Sequence, residues 1–285
     1  MLPAIMTLSS AAVAPTPAAQ VTVVAQRGAS PAEIRAAEEL VLHLEKITGT
    51  DVPLARDATN APEAAIVVGP GPVAKRFFRE VDLSNFGPEE LVMRSKGKRL
   101  LLAGGRPRGT LYAVYRWLHT QAGVRWWTPW ASTIPSNPKL EIRELNVREK
   151  PAFEARDPFW FHAFDGAWAA RNYSNGFSAR LDEATGGKVI YGGFVHTFFP
   201  LVPPKDHFEK HPEWYSEIKG KRTADGGQLC TTNPALRDFV VERVRQTIRE
   251  NPNVNIVSVS QNDWYGACEC PECKALDDAE GTHAA

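Results

Sequence analysis

The chain has 285 residues, 43% of them hydrophobic and 23% charged, the balance of an ordinary globular protein with room for about two domains. Basic and acidic residues number 33 each, for a formal charge of +0, and no Lys/Arg run is concentrated enough to hold a nucleic acid by phosphate neutralisation. No apolar stretch approaches the ~20 residues of a membrane-crossing helix. Residues 1–20 are rich in Ala, Pro, Ser and Thr and carry no charged side chain. Within them Ile5 to Ala14 resembles the apolar core of a secretory signal, and Ala12-Val13-Ala14 has the small-x-small form of a cleavage site. No basic residue precedes the apolar part and Pro15 follows the cut, so a clipped or mis-started signal peptide stands against a disordered terminus.

Residues 21–25 read as a first strand. Ser30-Pro31-Ala32-Glu33 opens a helix with Ser at the N-cap, Pro at the first helical position and Glu at the third. Ile34, Ala37, Leu40, Val41, Leu44 and Ile47 give its apolar stripe, and Gly49 ends it in a left-handed cap. Strands follow at residues 64–69, 90–94 and 99–103, the last two joined through Lys96-Gly97-Lys98, and a helix covers residues 109–118. Gly104 to Gly109 lacks both the Walker Lys-Ser/Thr pair and the dinucleotide glycine spacing, and so reads as a strand-to-helix turn. Trp126, Trp127 and Trp130 either stack on a sugar or seal one domain against the next; the seal is preferred. The divisions expected are a leader over 1–20, a sheet-plus-helix domain over 21–148 and a second domain over 149–285.

In that second domain, strands are expected at Phe153 to Phe161, Val189 to Phe199, Gln228 to Cys230 and Val254 to Ser260. Helical stretches fall at 165–173, 206–218 and 234–250, the last capped by Thr232 or Asn233. Four strand–helix alternations fit half of an eight-stranded (β/α) barrel, since a whole barrel needs about 250 residues. The fold class expected is therefore α/β: a small sheet-plus-helix domain followed by the first half of a TIM-type barrel, in the front part of a longer protein.

The patterns Ala36-Ala37-Glu38-Glu39-Leu40, Arg108-Gly109-Thr110-Leu111-Tyr112-Ala113-Val114-Tyr115 and Gly123-Val124-Arg125-Trp126-Trp127 resemble the small domain that precedes the barrel in α-glucuronidases and β-hexosaminidases. The second half resembles a bacterial family known as domain of unknown function 4838. The residues that carry this are His211-Pro212-Glu213-Trp214, Gln228-Leu229-Cys230-Thr231-Thr232-Asn233-Pro234, Val257 to Asp263 and Cys268-x-Cys270-x-x-Cys273. The resemblance implies a carbohydrate-processing barrel, exported from the cell. In the hexosaminidase relatives an Asp-Glu pair ends the fourth barrel strand and the Glu is the general acid. Here that strand ends in Asn262-Asp263, an amide and one carboxylate.

Glycoside hydrolysis usually needs two carboxyl groups across the scissile bond. Asp263 is the catalytic candidate, with Trp264 and Tyr265 expected to shield it from water; the alternative is a carboxylate that caps its turn or orders the cysteine loop. The second carboxylate is not evident and is expected beyond Ala285. Arg156, Trp160, His196, Trp214, Asn233 and Asn262 are the substrate-binding candidates: a guanidinium clamp, stacking rings, an imidazole, and amides that donate and accept at once. For each the bland reading is an ion pair, a core ring or a satisfied polar group. Cys230, Cys268, Cys270 and Cys273 could hold a structural zinc ion or form a disulfide staple, with an iron–sulfur cluster less favoured. No cofactor is expected for catalysis. The function expected is glycoside hydrolysis of poly- or oligosaccharide, with a non-catalytic carbohydrate-binding protein as the alternative and a metal-binding interaction module as a weaker third.

Overall fold

A computed structural model describes residues 15–281 and residue 284, so the expected leader at Ile5–Ala14 lies outside the described residues. The chain divides into two compact units, one running up to Lys188 and one beginning at Val189. It is a mixed α/β protein. Among the described residues no helix is long and apolar enough to cross a membrane.

The first unit is built on a six-stranded sheet. In spatial order its strands are Asn146–Glu149, Leu91–Lys96, Arg99–Gly104, Ala65–Val68, Thr22–Gln26 and Leu54–Ala58. Pairing is parallel among the last four and antiparallel across the first three. Side-chain alternation sorts the core into two layers. Val23, Ala25, Ile66, Val68, Leu100 and Leu102 face the helices Pro31–Thr48 and Gly109–Thr120. Val24, Ala65, Val67, Leu101 and Ala103 face Val73, Ala74 and Phe78 on the other side.

The Pro31–Thr48 helix starts as its sequence predicts. Ser30 Oγ accepts from the Glu33 amide, Glu33 returns to the Ser30 amide, and Gly49 closes the helix at φ 73°. Its buried stripe is Ala36, Ala37, Leu40, Leu44 and Ile47, rotated from the expected one so that Ile34 is exposed. Gly104 ends its strand where a Cβ would lie 2.4 Å from the Glu90 carbonyl oxygen and from Gly109, so only glycine permits this strand-to-helix turn. Trp126 is buried in the core, whereas Trp127 and Trp130 are exposed.

Residues 151–188 lie within the first unit, and the strand expected at Phe153 to Phe161 does not form. Side chains, not a neighbouring strand, satisfy its backbone. Asn175 accepts from the Arg156 amide and donates to the Glu154 carbonyl, and the Arg156 guanidinium donates to the Phe153 carbonyl. Pro158 supplies no N–H, and Phe159 sits at φ 38°.

In the second unit, Tyr191–Gly192 pairs in parallel with Ile256–Val257. Left-handed backbone at Gly193, Val195 and His196 cuts short the expected strand from Val189 to Phe199. Gln228 to Cys230 contributes one isolated antiparallel bridge, Leu229 to Tyr215. The helix expected across 206–218 is reduced to Pro204–His207 and a single turn at Pro212–Trp214. The Pro234–Glu250 helix has the predicted bounds. Of the four parallel strands expected, one parallel pair is thus present among the described residues.

Candidate functional site

The second unit is organised around three chain segments, 214–218, 227–230 and 262–269. The Gln228 amide N–H reaches the Gly266 carbonyl at 2.8 Å, the Cys230 N–H reaches the Trp214 carbonyl at 2.9 Å, and the Glu269 N–H reaches the Glu217 carbonyl at 2.7 Å. At their junction lie four buried thiols, Cys230, Cys268, Cys270 and Cys273, whose Sγ atoms all fall within 4.8 Å of one another. Cys270 caps the helix Pro271–Glu280, and Cys273 sits in its first turn. The sequence predicts this set of four but not the helix that carries half of it.

Polar groups surround the sulfurs. The Glu217 N–H lies 3.3 Å from Cys268 Sγ and an Arg222 Nη1 lies 3.5 Å from it. Thr232 Oγ1 is 3.1 Å from Cys273 Sγ and 3.6 Å from Cys230 Sγ. A hydrogen bond from Cys268, helped by Thr232 and Arg222 against the cost of burial, pushes the Cys230 thiol down to about 4. The same Cys230 bond together with burial pushes Cys268 up, and burial raises Cys273 to about 11.

Two buried amides brace the segment after Ile256–Val257. The Gln228 side chain donates to the Asn262 carbonyl at 2.9 Å and the Trp264 carbonyl at 2.7 Å, and accepts from the Asn262 N–H at 2.8 Å. Asn262 accepts from the Phe199 N–H at 3.3 Å and donates to the Gly227 carbonyl at 3.3 Å. A buried amide must satisfy its donors and its acceptor, and the adjoining backbone supplies both. Asn262, expected to meet sugar hydroxyls, is therefore consumed internally. Asn233 is likewise occupied as the N-cap of the Pro234–Glu250 helix, accepting from the Leu236 N–H at 3.1 Å.

The parallel pair also leads to His196. Thr197 Oγ1 accepts from the Ser260 N–H and donates to the Ser258 carbonyl, both at 2.9 Å, drawing the segment after Gly192 alongside the other strand's exit. His196 Nδ1 lies 3.1 Å from the Gln261 carbonyl oxygen. A carbonyl accepts only, so Nδ1 carries the hydrogen. Asp263 is exposed, Trp264 is half exposed, and Tyr265 is wholly exposed. Despite the shielding expected from these rings, Asp263 is thus open to water: Tyr265 stands in solvent, and Trp264 turns its Nε1 onto the Gly227 carbonyl and packs edge-on against Phe199. Gln261, His196, Asp263, Trp264 and Tyr265 form an outward-facing set on the rigid base made by Gln228 and Asn262.

The remaining expected ligands are engaged elsewhere. Trp214 is buried, stacked on His211 at 4.1 Å between ring centres and packed beside Phe239. Arg156 pairs with buried Glu89 at 2.7 Å, and its Nε donates to the Tyr173 carbonyl at 2.7 Å. Asp157, its neighbour in the chain, instead accepts from the Ser178 N–H at 3.0 Å. Trp160 is half exposed in the first unit, edge-on to His162 and Trp168. Sequence reasoning gives no role to Thr197 or Arg222 and takes Thr232 only as a helix cap; a hydroxyl or guanidinium acting on a distant segment leaves no local signature. Two cavities of about 510 and 290 Å³ both belong to the first unit, and neither is lined by any residue of 261–273.

In fold the chain is most informatively compared with a family GH115 4-O-methyl-α-glucuronidase, BtGH115A, described as specific for decorated arabinogalactans. The TM-score is 0.50 at 13% identity over 85% of this chain and 41% of that one. Lower similarity links it to a GH138 enzyme targeting pectin rhamnogalacturonan II, with TM-score 0.40 and 15% identity over 83% of this chain and 30% of that one. A Streptomyces plicatus N-acetyl-β-hexosaminidase gives TM-score 0.35 and 13% identity over 87% and 42%. The chain spans less than half the length of each of these proteins. No curated protein sequence matches it. The glucuronidase likeness defines a shared mixed α/β fold. The chain belongs to the family of domain of unknown function 4838 (DUF4838), whose model matches residues 126–285, more than half of it.

Proposed function

We propose that this chain is part of an exported glycoside hydrolase acting on poly- or oligosaccharide, with Asp263 at the scissile bond and His196, Trp264 and Tyr265 against the sugar. The observation that carries the reading is the 261–265 loop with His196 beside it: a carboxylate, an imidazole and two rings leave one end of a parallel strand pair on a braced base. Ligands meet parallel strands at their carboxyl ends in folds of this kind. Likeness in fold to a glucuronidase supports the substrate class. The parallel pair would open a (β/α)8 barrel, and the exposed Val241 and Ile248 of the Pro234–Glu250 helix are the apolar positions that further barrel units would cover.

In this reading a second carboxylate stands across the bond, about 5–5.5 Å away for retention or about 6.5–9.5 Å for inversion. The exposure of Asp263 favours one alternative, binding of carbohydrate without cleavage. Both are separated by assaying the protein that contains this chain against uronic-acid-bearing and amino-sugar glycans, beside its Asp263→Asn variant. Hydrolysis lost in the variant with sugar affinity kept supports the enzyme. Affinity without hydrolysis in either protein supports the binder. No affinity for any glycan sinks both.

A further inference from the structure

We infer that Cys230, Cys268, Cys270 and Cys273 form a closed tetrathiolate site for one zinc ion, which pins the 268–270 segment to the 228–230 segment and to the Pro271–Glu280 helix. A zinc–sulfur bond of about 2.3 Å requires the edges of a sulfur tetrahedron to be about 3.8 Å. Cys230 Sγ lies 3.7 Å from Cys270 Sγ and 3.8 Å from Cys273 Sγ, and all four sulfurs fall within 4.8 Å of one another. A multi-iron cluster interposes sulfide between its thiolates and needs a wider cage. All four side chains are buried, so no coordination position is left for water or substrate, the mark of a structural rather than catalytic zinc.

The surroundings fit the charge. Four thiolates and one zinc ion leave two negative charges, and every neighbouring group that points at sulfur is a donor: the Glu217 N–H, the Arg222 guanidinium and the Thr232 hydroxyl. Arg222 is itself fixed by the Tyr215 carbonyl at 2.9 Å and Glu217 at 3.4 Å. The N-terminus of the Pro271–Glu280 helix adds its partial positive charge at Cys270 and Cys273. Donors that hydrogen-bond the ligand atoms in this way orient them and tune metal affinity. Arg222 is thus assigned as a positioning residue for the metal. The inference is independent of the sugar reading, since it concerns only the cluster.

The test is elemental analysis of the chain purified under reducing conditions, with cobalt exchanged for the native metal. The expected result is about one zinc per chain, and for the cobalt form the intense charge-transfer and ligand-field bands of a tetrahedral tetrathiolate. Cys268→Ser and Cys273→Ser should lose the metal, whereas Cys270→His should keep it. Should the serine variants fail to fold, the wild-type cobalt spectrum decides alone. Arg222→Met should weaken zinc affinity by about 10–100-fold, measured against a coloured chelator, with the cobalt spectrum unchanged. Iron in place of zinc, metal-free reduced protein, or a cobalt spectrum of higher coordination would each overturn the assignment.

Discussion

Glu89 offers the sharpest test of how the first unit is held together. Its carboxylate is 8% exposed and meets Arg108 at 2.6 Å and Arg156 at 2.7 Å, with the Asn175 amide also at 2.6 Å. Glu89→Ala strands two guanidinium groups whose side chains are only 12% and 21% exposed. Removing one member of a buried ion pair costs about 3–5 kcal/mol, because the partner's charge is left uncompensated. Arg156→Met is milder. Glu89 keeps Arg108 and Asn175, and the loss is one charged hydrogen bond, about 1.5–3 kcal/mol, plus the smaller contributions of those to the Phe153 and Tyr173 carbonyls. In the Glu89→Ala background the same change should cost little, because the repulsion between the guanidiniums is relieved. Urea unfolding of the four proteins, followed by circular dichroism, reads the cycle. If Glu89→Ala shifts stability by less than about 1 kcal/mol, or if Arg156→Met costs the same in both backgrounds, the network is not structural. Loss of sugar affinity in Arg156→Met at full stability would return Arg156 to the ligand-binding role.

Two further outcomes follow from the geometry. His43 is buried, its Nδ1 is 2.7 Å from the Glu39 carbonyl oxygen, and its Nε2 accepts from Trp126 Nε1 at 3.3 Å, so the neutral ring is satisfied at both nitrogens. Burial lowers its pKa, against a hydrogen bond to the Glu39 carbonyl that raises it. Stability should therefore be intact above the ordinary histidine value of about 6.5 and fall below it by at most about 1.4 kcal/mol per pH unit, as the unfolded chain takes a proton the folded chain refuses. Denaturant midpoints from pH 7.5 down to 5 check this, and a slope unchanged in His43→Gln would refute it. Gln228→Ala leaves the Asn262 and Trp264 carbonyls and the Asn262 N–H without their partner, at about 1–3 kcal/mol for each group left buried and unpaired. Hydrogen exchange should quicken across residues 262–266; unchanged protection there would show that the loop is braced by something else.

Legibility in the sequence follows the range of the forces involved. The Ser30/Glu33 box, Gly49 and Asn233 act within one helical turn, and each sits where its spacing predicts. The core strands of the first unit are legible because both of their faces are buried and their residues are β-branched or leucine. The edge strand Leu54–Ala58 is not, because its sequence LARDA is polar and its register comes only from pairing with Thr22–Gln26. Phe153 to Phe161 carries a strand-like composition, yet Asn175 from outside the segment and Arg156 from within it claim its backbone. The four cysteines are visible at once by composition. The roles of Gln228 and Asn262 are hidden, since an amide that binds sugar and an amide that braces a loop are the same residue until its neighbours are known.

That distinction bears on the chemistry proposed for Asp263. A general acid or nucleophile must be held to within about 0.5 Å and kept from water to act at neutral pH. Asp263 is exposed, and its position is inherited from Asn262 before it and from Trp264 after it, both tied to the buried amide of Gln228. Placement is therefore provided by the protein, whereas exclusion of water is left to whatever covers the carboxyl. A sugar ring lying on Trp264 and Tyr265 would supply that cover, so desolvation would arrive with the substrate. On this argument truncated substrates that cannot reach the two rings should lose turnover as well as affinity, because the contact that binds the sugar is also the one that dries the acid.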